Sequence, residues 1–184
     1  MKRKIRNGVS GMVFSSVVFL FRFLPVFFIC YFLAPGRMKN GILFLGSLFF
    51  YAWGEPVYIL LLVGMTLVDW YLTLIMSKYE HGSKKAKLFL GLTVSVDLVL
   101  LGIFKYGSFI LSNIKFFTGF PAKVPSIMLP IGISFYTFQL ITYCVDVYRG
   151  DALPQRSFKT LLLYVSLFHQ CIAGPIVRYK DVCA

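Results

Sequence analysis

The residues whose types and spacing could do chemistry gather in one stretch. Between Ile127 and Val147, the residues Gly132, Tyr136, Gln139, Tyr143 and Asp146 recur at intervals of 4, 3, 4 and 3. At 100° per residue they share one stripe of a helix. Phenol, amide and carboxylate groups on an apolar rod supply donors and acceptors that could line a cavity. They could equally fix packing through interhelical hydrogen bonds, at about 0.6 kcal/mol per contact. Ser134, Thr137 and Thr142 point off the stripe and can bond back to their own helix.

Three ionisable groups, Arg22, Asp69 and Asp97, stand inside other apolar runs, where each costs about 2.5–3.5 kcal/mol at a helix centre in lipid. Arg22 falls well inside its run, so an intramembrane ion pair, a thinned hydrated region or a role in substrate transit would each explain it. Histidine is the natural general base near neutral pH. His81 sits in a polar loop beside Glu80 and lysines, as a solvated residue would, and His169 stands alone with no carboxylate near it in sequence. The stretch from Ser166 to Tyr179 contains Gln170, a Gly174-Pro175 break and Arg178. A helix should stop or kink there, freeing carbonyls and setting Arg178 at an interface. Cys30, Cys144 and Cys171 lie in apolar segments and Cys183 near the end, with no CxxC pair, so free thiols are expected rather than a zinc site or a disulfide framework. HExxH, GxSxG, Walker A and GxGxxG motifs are all absent.

The elements that must position these groups are membrane helices. Hydrophobic residues make up 58% of the 184-residue chain and mean hydropathy is +0.78, well outside the globular range, so lipid is the expected solvent. Net charge is +12, but the cations fall in short patches between apolar runs, which suits anionic headgroups and topology signals and excludes a nucleic-acid stripe. The apolar windows are Val13–Ala34, Gly41–Trp53, Val57–Met76, Leu88–Phe104, Phe109–Phe120, Ile127–Val147 and Thr160–Val177. They predict five to seven membrane segments in an all-α, polytopic transmembrane fold. Gly41–Trp53 and Phe109–Phe120 are short enough to be re-entrant, tilted or interfacial. Pro35-Gly36, Gly54-Glu55-Pro56, His81-Gly82-Ser83, Gly119 to Pro125 and Gly150 to Pro154 punctuate the runs. The positive-inside rule is best met if the chain starts at Met12, with Arg37, Lys39 and the Lys78, Lys84, Lys85, Lys87 loop inside and Glu55 outside. Residues 1–11 then form a basic extension, and 12–184 a portion of one transmembrane domain.

Four stretches carry a family resemblance. They are Met12–Ser16 (MVFSS) with Phe19–Pro25 (FLFRFLP), Ser47–Pro56 (SLFFYAWGEP), Leu129–Gln139 (LPIGISFYTFQ) continuing through Val145–Gly150 (VDVYRG), and Ile172–Tyr179 (IAGPIVRY). With Phe104-Lys105-Tyr106, these resemble the membrane-bound O-acyltransferases, and among them the alginate and related polysaccharide O-acetyltransferases. The resemblance runs from Met12 to about Val182. His169, Arg22 and the basic leader depart from the family pattern.

The resemblance implies transfer of an acyl group, acetyl in this branch, onto sugar hydroxyls of an exported polymer. It implies an activated donor such as acetyl-CoA, no bound cofactor, an inner-membrane location, and a separate extracytoplasmic partner protein beside the remaining helices and the lipid. The family's catalytic histidine belongs to a later motif, so no catalytic residue is expected in these 184 residues, and the chain alone should be inactive. Tyr136, Gln139, Tyr143 and Asp146, with Gln170 and Arg178, would line or brace the family's funnel. A transporter piece with broken helices and buried acids, or a non-enzymatic assembly subunit, would present similar residues.

Overall fold

The computed structural model describes residues 17, 19–118, 129–167 and 178–182, and every regular element among them is helical. A π-helical turn, Phe19–Phe23, leads into α1, Leu24–Leu33. Then follow α2 (Gly36–Gly54), α3 (Ile59–Met76), α4 (Lys84–Thr118), α5 (Ile133–Arg149), α6 (Phe158–Ser166) and the short α7 (Tyr179–Val182). The all-α membrane fold expected above is the one observed.

Local chemistry explains the boundaries. Pro25 stands in the first turn of α1; its ring crowds the carbonyl one turn back and it donates no backbone hydrogen bond, so the preceding turn widens into the π form. Pro35, in extended conformation, starts α2 and accepts from the Met38 N–H at 2.8 Å. At the far end of α5, Gly150 takes φ +79°, a left-handed cap that suits glycine. Its neighbour Asp151 donates to the Asp146 carbonyl at 2.9 Å.

Two expectations about the short segments are corrected. The window Gly41–Trp53 is the apolar part of the 19-residue α2, and Leu88–Phe104 and Phe109–Phe120 are joined, as far as Thr118, in the single 35-residue α4. Leu88–Phe104 and Phe109–Phe120 are therefore not separate elements. A hydropathy window marks contact with hydrocarbon, whereas a helix continues until something breaks it. Lys105, Tyr106 and Ser108 break nothing, and the one glycine there, Gly107, costs only about 1 kcal/mol. At 1.5 Å per residue α4 is about 52 Å long, well beyond a bilayer's hydrocarbon core of roughly 30 Å.

α5 is the centre of the bundle. It packs against α3, α4, α6 and α7, and Ile133, Tyr136, Leu140, Tyr143, Cys144 and Val147 all lie in the core. The π-turn, α1 and α2 form a separate small cluster around Phe19, Phe27 and Phe50. Large apolar residues cover the outside, among them Phe21, Leu33, Phe109, Phe116 and Phe117, an arrangement tolerable only in an apolar solvent or under more protein. α3 and α4 are long and apolar enough to cross a membrane. The protein is membrane-associated.

Candidate functional site

Two ties fix the bundle end to end. At one end the Ile131 backbone N–H donates to Glu55 Oε2 at 3.0 Å, and the Tyr51 hydroxyl donates to the Ile131 carbonyl at 3.1 Å. At the other, His81 Nδ1 donates to the Tyr148 carbonyl at 3.1 Å. α3 and α5 therefore run parallel, and α4 returns antiparallel to them from the His81 end and continues past the Glu55 end. Glu55 lies outside the spans; partial burial raises its pKa above the usual glutamate range, and the Ile131 N–H draws it back.

Between these ties lies a buried polar layer. Asp69 on α3 and Asp97 on α4 are both fully buried, near enough to act on each other electrostatically. Among the described residues no hydrogen-bond partner reaches any of their four oxygens. Thr73 Oγ1 and Cys144 Sγ join α3 to α5 beside the acids at 3.0 Å. Thr66 and Thr93 donate back to the Leu62 and Phe89 carbonyls of their own helices, which satisfies their hydroxyls without a partner from another helix. Arg22 takes no part in this layer. It stands exposed on the π-turn, apart from the two buried acids.

The α5 stripe is buried along its whole length. Tyr136, Gln139, Tyr143 and Asp146 are each no more than 4% exposed, and Gly132 caps the helix at φ +77° instead of belonging to it. Tyr143 is the best defined. Its hydroxyl accepts from the Gln155 N–H at 3.0 Å, and its ring meets the Tyr179 ring edge-on at 4.8 Å. Gln155 in turn donates to the Tyr179 hydroxyl at 2.9 Å, accepts from the Ser157 N–H, and offers its carbonyl to Trp70 Nε1 at 2.9 Å. The network ties α3, α5, α7 and the loop before α6. Tyr143 thus acts here as a brace. Arg178 is exposed while its neighbour Tyr179 is buried; Gln170, His169 and the Gly174-Pro175 break lie outside the described residues, as do residues 1–11.

Sequence reasoning passed over Glu55, Tyr51, Gln155 and Tyr179 as site residues. An acid between Gly54 and Pro56 in a matched motif was a signal for Glu55. Gln155 carried none, being a neutral loop residue whose importance arises only from its neighbours. No group of histidine, cysteine and acidic residues among the described residues could hold a metal ion.

Sequence comparison adds what this geometry lacks. The chain is 42% identical over 175 residues to a probable alginate O-acetylase of Pseudomonas aeruginosa, an alignment covering 93% of this chain and 34% of that protein. A probable alginate O-acetylase of Azotobacter vinelandii matches at 41% identity, again over 93% of this chain and 35% of the relative. Over this span, the chain is similar to the alginate O-acetylases. The similarity extends to a peptidoglycan O-acetyltransferase of Helicobacter pylori, 34% identical over 204 residues, with 95% of this chain and 38% of the relative covered. The chain spans about a third of the length of the curated relatives it matches. No family model matches the chain, and no solved structure matches it at a significant level. In family terms the end tie joins two of the resemblance motifs, Ser47–Pro56 through Tyr51 and Glu55, and Leu129–Gln139 through Ile131.

Proposed function

We propose that the chain is part of a membrane O-acyltransferase that transfers an acetyl group to hydroxyls of an exported polysaccharide such as alginate. The observation that carries this reading is the similarity, over nearly the whole chain, to proteins named for O-acetylation of two different polysaccharides. Both kinds of relative are named for acyl transfer and neither for transport. An ester bond to the sugar oxygen forms as the acyl group leaves an activated donor, acetyl-CoA or another, and the hydroxyl proton passes to a base. No described residue qualifies as that base. His81 is exposed and committed to a loop tie, and the expected histidine belongs to a later motif of the family.

The contribution of this chain is scaffold. The Asp69–Asp97 pair and the Tyr143–Gln155–Tyr179 network set the spacing of α3, α4 and α5. The end tie holds the turn into α5. Charge supports an inner-membrane, multi-pass placement: Lys78, Lys84, Lys85, Lys87 and Arg149 share the end marked by the His81–Tyr148 bond, and Glu55 marks the other.

A chimera tests the reading. In an alginate-producing strain deleted for its own O-acetylase, this chain replaces the matching third of the host enzyme, and acetyl esters on the polymer are measured by NMR. The chimera restores acetylation and the 184-residue chain alone does not. A stable, membrane-inserted chimera that leaves the polymer unacetylated would overturn the assignment.

A further inference from the structure

The first helical hairpin has a groove that the bundle does not use. α1 and the π-turn meet α2 through stacked and edge-on phenylalanines, Phe19 against Phe50 at 4.9 Å and Phe23 against Phe49 at 6.3 Å. Gly46 admits the closest approach, since a Cβ there would run into the Phe27 ring. Beside this seam opens a cavity of about 670 Å³, walled by Val26, Phe27, Leu45, Phe49 and Trp53. That volume lies in the ordinary range of ligand pockets.

Among the described residues its lining contains one charged residue, Arg22, and no acid. Because α1 and α2 run antiparallel, with Phe27 over Gly46 and Phe23 over Phe49, Arg22 and Trp53 lie together at the end of the groove remote from the Ala34-Pro35 turn. Tryptophan favours the level of lipid headgroups, where its ring is apolar and its N–H wet. A guanidinium at that level takes phosphate oxygens through two parallel N–H donors. Val26 and Leu45 are 61% and 66% exposed, so the groove opens outward to the surface that lipid would bathe. An apolar trough in a membrane helix pair, with a single cation at its interfacial end, complements a molecule having a long apolar tail and one anionic head.

We propose that the groove between α1 and α2 binds an anionic glycerophospholipid, an acyl chain lying along Val26, Phe27, Leu45 and Phe49 and the phosphate resting on Arg22 beside Trp53. Bound lipid fills the space and gives Arg22 the anion that neither Asp69 nor Asp97 supplies. The site is independent of acyl transfer, and stands or falls separately from it.

Native mass spectrometry of the delipidated chain, titrated with dioleoyl phosphatidylglycerol or dioleoyl phosphatidylcholine, tests the site. One cation at a membrane surface corresponds to a preference of about fivefold for the anionic lipid. The wild type therefore retains phosphatidylglycerol about fivefold over phosphatidylcholine, R22Q equalises the two, and R22K, which keeps the charge, retains the preference. V26W, which fills the trough from an exposed position, lowers binding of both lipids. R37Q, at an exposed cation outside the groove, changes nothing. Equal retention of both lipids by the wild type, an unchanged preference in R22Q, or no effect of V26W on either lipid would each overturn the proposal. So would a wild type that retains no lipid, as expected if a second copy of the chain covers the groove.

Discussion

At the scale of single residues, burial of polar groups in a membrane protein is tolerated only when they find one another. Asp69 and Asp97 illustrate the rule: each would be costly alone at membrane depth, and on α3 and α4 they are buried close to each other. Asp69→Asn replaces one carboxyl by an amide that always donates, so the pair persists and thermal stability in detergent stays close to wild type. Asp69→Ala leaves Asp97 buried without its partner and costs about 1–3 kcal/mol. Thermal unfolding followed by size-exclusion chromatography distinguishes the two. Equal melting of both variants would mean that the pair contributes nothing. The positions of both acids were legible as outliers in apolar runs, but their pairing was not, since they are 28 residues apart and meet only because α3 and α4 are packed together.

Among the helices and turns, the start of α5 is the most constrained place. Gly132 holds φ +77°, where a Cβ would strain the backbone, and the adjacent Ile131 is clamped on both its N–H and its carbonyl. Gly132→Ala is expected to destabilise by about 1–2 kcal/mol, measured by the same melting assay; an unchanged midpoint would mean that the turn relaxes freely. The clamp also has a pH signature. Glu55 has its folded-state pKa raised by burial, so the folded protein binds its proton more tightly than the unfolded chain does. The contribution of Glu55 to stability is then greatest at low pH and declines as pH rises through the folded pKa. Glu55→Gln still accepts from Ile131 and does not titrate. The stability of wild type relative to E55Q should therefore fall on raising pH from just below the ordinary glutamate range. A flat difference would show that burial does not disfavour the Glu55 charge.

For the whole molecule, length and charge together set the membrane placement. α4, about 52 Å long, cannot be contained in hydrocarbon of roughly 30 Å. Lys85 near its start and Lys115 near its end must emerge on opposite sides if the helix crosses. Single cysteines at these positions, introduced by Lys85→Cys and Lys115→Cys in a cysteine-free background, are expected to react with a membrane-impermeant maleimide from opposite faces of sealed vesicles. Labelling of both from the same face would show that α4 turns back or lies along the surface. The exposed phenylalanines of the outer face, including Phe116 and Phe117 at 83% and 82% exposure, agree with a chain covering about a third of its relatives' length, whose helices have room for further protein to pack against them.

Composition and periodicity by themselves determined that the chain is helical and lives in lipid, since apolar content and run length answer directly to the solvent. They determined the buried face of α5 as well, because a stripe repeating at 3.6 residues is a property of one helix. The motifs from Ser47 to Pro56 and from Leu129 to Gly150 were enough to indicate the family. Tertiary structure alone decided which polar groups meet: Asp69 with Asp97, Tyr143 with Gln155 and Tyr179, Glu55 with Ile131. It also decided that two apolar windows are one helix and that Arg22 stands at the mouth of a groove instead of in an ion pair with the buried acids. The reason is physical. Hydrophobicity is a local, non-directional property that each residue carries with it, whereas hydrogen bonds and close packing are directional and depend on partners that only the folded chain brings within about 3 Å.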